Sequence, residues 1–224
     1  MKLKVNGIEL YYNQTGQGNP IIFLHGNGQD HTIFTGITKR LSTTHTVYAI
    51  DSRDHGRSSK VEHLDYYSKM DDVADFIHEL KIEKPIIYGF SDGGIIGLLL
   101  AINHPDMLSK LIISGANTSP EGIKKTTRFL LKVWYFFTRS NKVKLMLTQP
   151  NITDAQLNVI TTPTLVLAGH SDVIKEEHTK SMAKNIHGSQ LQILKGESHA
   201  SYVLQNDKLY DIIKTFLGGD KNEK

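Results

Sequence analysis

The sequence PIIYGFSDGGIIGLLLA occupies residues 85–101 and contains the pattern Gly-x-Ser-x-Gly between Gly89 and Gly93. Its first part is a short apolar run typical of a buried strand, and its last part has the composition of a buried helix. The pattern in this context predicts a sharp turn that exposes the hydroxyl of Ser91 at the start of the helix. Flanking glycines suit such a turn, because side chains there would collide with neighbouring elements. We predict that Ser91 is a nucleophile, with a purely structural turn as the alternative.

Short apolar runs and helical patterns alternate along the rest of the chain. The predicted strands are Lys2–Val5, Glu9–Asn13, Ile21–Leu24, Thr46–Ile50, Pro85–Tyr88, Lys110–Ser114, Thr164–Ala168 and Leu191–Leu194. The predicted helices are Tyr66–Leu80, Gly93–Asn103, Glu176–Ile186 and Tyr202–Phe216. A hairpin signal at Asn6 and Gly7 followed by strand–helix–strand units is typical of an α/β fold. The pattern therefore predicts a doubly wound, mostly parallel sheet.

A serine hydroxyl is a poor nucleophile near neutral pH and needs a general base. His199 follows the last predicted strand and Asp172 follows the strand before it, so both are expected at the same edge of the sheet. The chain order Ser91, Asp172, His199 is that of a known hydrolytic triad. We predict that these three residues are catalytic, against the alternative that the histidine is a solvated loop residue.

The run HGNG at residues 25–28 follows an apolar strand pattern. A loop in this position supplies one backbone donor to an oxyanion hole, and the residue after the nucleophile supplies the second. We assign these donors to the backbone N–H groups of Asn27 and Asp92. An ordinary glycine-rich turn is the alternative, and His25 is interpreted as a structural hydrogen-bonding residue.

The composition argues against several other chemistries. The 224 residues contain no cysteine, so disulfides, cysteine-ligated metals and cysteine nucleophiles are excluded. The net charge of +3 is too small to imply a nucleic-acid partner. No cofactor and no metal site are predicted, and Asp51, Arg53, Asp54 and His55 are interpreted as a structural loop. No apolar signal segment follows the first basic residues, and we expect a cytoplasmic location.

Residues 117–160, here called the inserted segment, differ from the rest in charge and aromatic content. The stretch from 117 to 150 contains seven basic residues and one acidic residue, Glu121. It therefore carries a net charge of +6, and the remaining chain carries −3. The basic residues are Lys124, Lys125, Arg128, Lys132, Arg139, Lys142 and Lys144. We expect the aromatic residues Phe129, Trp134 and Phe137 to line the substrate pocket while the lysines are solvated. The alternative is a basic amphipathic face that contacts anionic lipid.

Five motifs together resemble the α/β-hydrolase fold family over nearly the whole chain. They are HGNG at 25–28, DSRDHGRS at 51–58, GFSDGG at 89–94, TPTLVLAGHSDVI at 162–174 and GESHAS at 196–201. The resemblance implies an eight-stranded sheet with its second strand antiparallel, and a short helical lid after the sixth strand. It divides the chain into a core at 1–116 and 161–218, the inserted segment as the lid, and a tail at 219–224 that we expect to be frayed.

The resemblance also implies hydrolysis through an acyl-serine intermediate. Relatives that are haloalkane dehalogenases or epoxide hydrolases use aspartate at the elbow, so Ser91 favours a small ester, thioester or amide substrate. Asp92, beside the nucleophile, suggests the further hypothesis that its carboxylate binds a substrate ammonium; the alternative is that it faces solvent or backbone. Two other functions stay open: a signalling receptor that retains the triad, and a carbon–carbon bond hydrolase.

Overall fold

An eight-stranded sheet forms the centre of the molecule, and the computed structural model describes residues 1–218. The strands are β1 (Lys2–Val5), β2 (Ile8–Thr15), β3 (Asn19–Leu24), β4 (His45–Ile50), β5 (Ile86–Phe90), β6 (Lys110–Ser114), β7 (Thr164–Ser171) and β8 (Gln190–Ser198). Their order is β1-β2-β4-β3-β5-β6-β7-β8. Strand β2 is antiparallel to both of its neighbours, and the other pairs are parallel. The predicted mostly parallel sheet is confirmed.

Eight α-helices occur within residues 1–218. They are α1 (Thr35–Leu41), α2 (Tyr66–Glu79), α3 (Asp92–Asn103), α4 (Lys125–Thr138), α5 (Asn141–Thr148), α6 (Asp154–Asn158), α7 (Glu176–Asn185) and α8 (Tyr210–Leu217). None of these helices combines the length and the hydropathy needed to span a bilayer. The predicted frayed tail lies outside the described residues.

The sheet is buried on both faces, which explains why its central strands are continuously apolar. In β3, Ile22 and Leu24 pack in one hydrophobic cluster with residues of α2 and α3. The intervening Ile21 and Phe23 point to the opposite face and pack with residues of α1 and α8. Alternate side chains of one strand thus supply both layers of the core.

The last helix begins later than predicted, because the chain forms turns between His199 and α8. Gln205 has a φ of 51°, which a helix cannot accommodate. The side chain of Asn206 donates to the carbonyl groups of Ser201 and Leu204, and these bonds satisfy the turn in place of helical bonds. The prediction of a helix from Tyr202 was therefore wrong.

Helices α4, α5 and α6 lie between β6 and β7, in the inserted segment. Leu145 of α5, Leu157 of α6 and Ile160 are buried in the main hydrophobic core. Helix α4, in contrast, has no buried residue. The inserted segment is therefore anchored in the core through α5, α6 and Ile160, whereas α4 lies on the surface.

Candidate active site

Ser91 occupies the sharp turn between β5 and α3. Its φ of 52° and ψ of −114° are strained for a residue with a side chain, and its N–H donates to the carbonyl of Ser114 at 2.8 Å. A Cβ added to Gly89 would collide with the carbonyl of Gly93, and one added to Gly93 would collide with the carbonyl of Leu24. Both glycines of the motif are therefore required by close backbone approach.

The structure brings the three predicted catalytic residues into one hydrogen-bonded chain. The Nε2 atom of His199 lies 3.2 Å from the Ser91 hydroxyl, and its Nδ1 atom lies 2.7 Å from Oδ1 of Asp172. Asp172 is buried and also accepts the N–H of Ile174 at 2.9 Å, which fixes the carboxylate. A neutral imidazole that donates Nδ1–H to Asp172 directs the lone pair of Nε2 toward Ser91.

Gly115 is a residue of this site that sequence reasoning missed. It follows β6 with a φ of 62°, and a Cβ at this position would lie 2.9 Å from both Cε1 and Nδ1 of His199. Any larger residue would displace the imidazole from its position between Ser91 and Asp172. A glycine directly after a buried strand was the available signal.

The loop at residues 25–28 is held in place by His25. Its Nδ1–H donates to the carbonyl of Gly26 at 2.8 Å, and its Nε2 accepts the N–H of Ser52 at 3.0 Å, so the ring is neutral. Burial lowers the pKa of His25 to about 4, which favours the same state. The interpretation of His25 as a structural residue is confirmed.

The two predicted oxyanion donors lie at the same cavity as Ser91. Both Asn27 and Asp92 line this cavity, and neither backbone N–H donates to a protein acceptor within residues 1–218. Asp92 is the first residue of α3, where helix geometry leaves the N–H without an intrahelical partner. The arrangement leaves both groups available to an oxygen that develops negative charge.

The Asp92 carboxylate is buried and fully engaged by protein groups. Its Oδ2 accepts from the Lys69 ammonium at 2.9 Å and from the Asn27 side chain at 3.1 Å, and its Oδ1 accepts the Tyr66 hydroxyl at 2.7 Å. Burial alone would raise the pKa of Asp92, but the Lys69 charge and the Tyr66 hydrogen bond outweigh it and lower that pKa. The carboxylate therefore neither faces solvent nor is free to bind a substrate ammonium. Both the ammonium-binding hypothesis and its solvent-facing alternative for Asp92 are thus corrected.

Lys69 is the second residue that sequence reasoning missed. It lies on α2 among buried apolar residues and is itself only 2% exposed. A lysine at helical spacing between Tyr66 and Val73 on an apolar face was the signal, because such a charge is rarely buried without a partner. The partner, Asp92, is distant in sequence, and only the fold brings the two together.

A cavity of about 250 Å³ opens at Ser91 and His199. Its walls are mostly apolar and include Phe90, Ile123, Leu131, Trp134, Met146 and Ile174. This size is below that of cavities for drug-sized ligands, which favours a small substrate.

Trp134 contributes to the cavity wall as predicted, whereas Phe129 and Phe137 do not. The cavity-facing residues of α4 are Thr127, Leu131 and Trp134, which recur at helical spacing. Phe129 and Phe137 lie on another face of the helix and are 65% and 77% exposed. Their predicted role in substrate binding is therefore corrected.

The loop after β4 is held by hydrogen bonds within the protein, which supports its interpretation as a structural loop. Asp51 accepts the backbone N–H groups of His31 and Arg57, and Arg53 donates two hydrogen bonds of 2.6 Å to Asp72. Asp30, His31 and Asp51 lie close enough to hold a metal ion. Their ligand atoms are already hydrogen bonded to one another or to Thr32, which favours a structural role.

The eight-stranded sheet and the hydrogen-bonded array of Ser91, His199 and Asp172 are typical of the hydrolases that carry a serine at a strand–helix elbow. A family model described as alpha/beta hydrolase fold matches residues 19–149, and the chain belongs to this family. It is a hydrolase of that fold.

Similar proteins are consistent with this assignment. The chain is 28% identical to a human protein named serine hydrolase BPHL, over 96% of this chain and 85% of the relative. The enol-lactonase from Burkholderia xenovorans LB400 superimposes with a TM-score of 0.81 and 20% identity, covering 97% of this chain and 99% of that one. A meta-cleavage product hydrolase from Pseudomonas fluorescens IP01 has a TM-score of 0.80 and 17% identity, with 97% of each chain covered. At these identities the two structures show the fold alone.

Proposed function

We propose that the protein is a serine hydrolase that cleaves a small carboxylic ester through an acyl-serine intermediate. The observation that carries the proposal is the continuous chain of hydrogen bonds from Ser91 through His199 to Asp172 at the opening of the cavity. Thioesters and amides share the same carbonyl chemistry and are the next candidates.

The first half of the reaction acylates the serine. His199 Nε2 takes the proton of the Ser91 hydroxyl while the Ser91 oxygen attacks the ester carbonyl carbon. The N–H groups of Asn27 and Asp92 donate to the oxyanion, and Asp172 stabilises the imidazolium. The carbon–oxygen bond to the leaving group then breaks, and His199 protonates the departing alcohol.

The second half regenerates the enzyme with water. His199 takes a proton from a water molecule, which attacks the acyl carbonyl of the Ser91 ester. The same two N–H groups bind the second oxyanion. The acyl–serine bond then breaks, the proton returns to Ser91, and the carboxylic acid is released.

The environment of Asp92 supports this assignment of the oxyanion donors. An unpaired carboxylate next to the oxyanion would oppose the negative charge that develops there. The Lys69 ammonium compensates that carboxylate, and the bond from the Asn27 side chain to Asp92 orients the loop that carries the second donor.

The cavity favours a short, uncharged acyl group. Its walls are mostly apolar, and Asp92, the charged carboxylate among its lining residues, is already paired with Lys69. A substrate with a free charge would therefore lose hydration without gaining a partner.

Hydrolysis of p-nitrophenyl esters of increasing acyl length tests the proposal. Wild type is expected to turn over the short esters repeatedly, and Ser91→Ala is expected to lose about 10⁴-fold or more in kcat. Ser181→Ala, which changes an exposed serine on α7, is the matched control and should keep full activity. An organophosphate is expected to label Ser91, as read by peptide mass spectrometry. Undiminished turnover by Ser91→Ala, or a single turnover that leaves a persistent covalent ligand, would contradict the proposal.

A further inference from the structure

Helix α4 leaves a broad apolar face uncovered. Its five residues, here called the α4 docking face, are Phe129, Leu130, Val133, Phe136 and Phe137. They are between 40% and 77% exposed, and the rings of Phe136 and Phe137 contact each other edge to face. Contiguous exposed apolar residues of this size mark an interaction surface rather than ordinary scatter.

The positions around the helix divide α4 into three faces. At about 100° per residue, the α4 docking face covers an arc of about 120°. One side of this arc borders the cavity wall formed by Thr127, Leu131 and Trp134. The other side borders the exposed lysines Lys125 and Lys132. The helix therefore presents an apolar face with a basic edge.

The basic edge is available to an external partner. Within residues 1–218, Lys125 and Lys132 form no ion pair, whereas Arg128 is paired with Glu121 and Lys142 with Asp54. The stretch from 117 to 150 carries a charge of +6, while the remaining chain carries −3. The surface around α4 thus attracts a negatively charged partner.

We propose that the α4 docking face binds to an anionic membrane surface. In this arrangement the phenylalanine, leucine and valine side chains enter the interfacial region of the bilayer, and Lys125 and Lys132 lie near the lipid phosphates. Trp134 is half-exposed and also lines the cavity, so it lies at the boundary between the α4 docking face and the cavity. Docking therefore brings the cavity wall close to the membrane.

An anionic membrane fits this surface better than a second copy of the chain. In a two-fold symmetric pair the same surface of both copies comes together, so two stretches that each carry +6 between residues 117 and 150 would approach each other. An anionic lipid surface offers the opposite charge along with an apolar layer. The proposal concerns where the protein binds and goes beyond the bond it cleaves.

Co-sedimentation with vesicles tests the proposal directly. The protein is expected to bind vesicles of equal parts phosphatidylcholine and phosphatidylglycerol at low salt, and to bind phosphatidylcholine vesicles much more weakly. Lys132→Gln should reduce the partition coefficient about fivefold, and Phe137→Ser about tenfold or more. The matched controls are Lys184→Gln and Tyr67→Ser, which change an exposed lysine and an exposed aromatic residue on α7 and α2. They should bind like wild type.

The single tryptophan gives a second, independent measurement. The emission of Trp134 is expected to shift to shorter wavelength on addition of the anionic vesicles and to be quenched by brominated lipid. Ser91→Ala should bind like wild type, because the proposal does not depend on catalysis.

Three results would overturn the proposal. The first is absence of binding to the anionic vesicles at low salt, with no change in Trp134 emission. The second is equal binding by Phe137→Ser, Lys132→Gln and their controls. The third is self-association of the wild type that Phe137→Ser abolishes while no vesicle binding is detected, which would assign the surface to a second copy.

Discussion

The Lys69 ammonium and the Asp92 carboxylate form a buried ion pair beside Ser91, with 2.9 Å between Nζ and Oδ2. Both side chains are almost fully excluded from solvent, and the Tyr66 hydroxyl and the Asn27 amide complete the shell of the carboxylate. The pair connects α2 to the first residue of α3 and to the loop at 25–28. A charge located next to Ser91, the candidate nucleophile, is thereby compensated inside the protein.

The ion pair makes a prediction about stability. Lys69→Met is expected to destabilise the protein by about 3–5 kcal/mol, because it leaves the Asp92 charge buried without its partner. Asp92→Asn should have a similar effect by leaving the Lys69 charge unpaired. The double variant should cost clearly less than the sum of the two single changes, as measured by urea unfolding. Additive costs would show that the two charges are not coupled.

The Asp172 carboxylate makes a prediction about catalysis. Asp172→Asn keeps an acceptor for the N–H of Ile174 but favours the wrong tautomer of His199. We expect kcat for a short aryl ester to fall about 10⁴-fold with little change in unfolding temperature. Asp154→Asn, at an exposed position of α6, is the control. A loss of less than tenfold would remove Asp172 from the proposed triad.

The wall residue Trp134 makes a prediction about acyl-chain preference. Trp134→Ala enlarges the cavity and should raise the ratio of kcat/KM for hexanoate to that for acetate, measured with p-nitrophenyl esters. Phe137→Ala changes a residue on the same helix but outside the cavity. It should leave this ratio unchanged for an ester that is not aggregated in solution. The opposite pattern, with Phe137→Ala altering the preference and Trp134→Ala not, would reassign the cavity wall.

The buried His25 makes a prediction about pH. Its folded-state pKa of about 4 lies below its ordinary value of 6.5, so the unfolded chain binds a proton that the folded protein excludes. The contribution of His25 to the free energy of unfolding is therefore fully present above about pH 6.5. It is lost progressively as the pH falls toward 4. From about pH 7 to about pH 5, the free energy of unfolding should decrease by about 2 kcal/mol because of His25.

Urea unfolding across this pH range measures the effect of His25. His25→Gln should flatten the dependence by about the stated amount, even if it lowers stability at neutral pH. The exposed His63→Gln is the matched control and should keep the slope of the wild type. An unchanged slope in His25→Gln would show that His25 does not exclude the proton.

Residue patterns were sufficient to predict the central sheet, because strands buried on both faces are marked by runs such as Ile86–Phe90 with glycine or proline nearby. They were insufficient at the end of the chain, where an apolar pattern from Tyr202 predicted a helix. There, Tyr202 and Val203 are buried through turns rather than helical geometry. Periodicity identifies residues that are buried, but it does not reveal which backbone conformation buries them.

The sequence by itself determined the position of the candidate nucleophile and the order of the three candidate catalytic residues. Gly89, Ser91 and Gly93 lie within five consecutive residues, and close backbone approach at that turn permits only glycine at positions 89 and 93. Tertiary structure alone decided the role of Asp92, whose partner Lys69 lies 23 residues away. It likewise decided that Phe137 faces outward, since one helix carries apolar residues on two faces. Local patterns specify local geometry, whereas the pairing of charges and the choice of buried face depend on which elements the fold brings together.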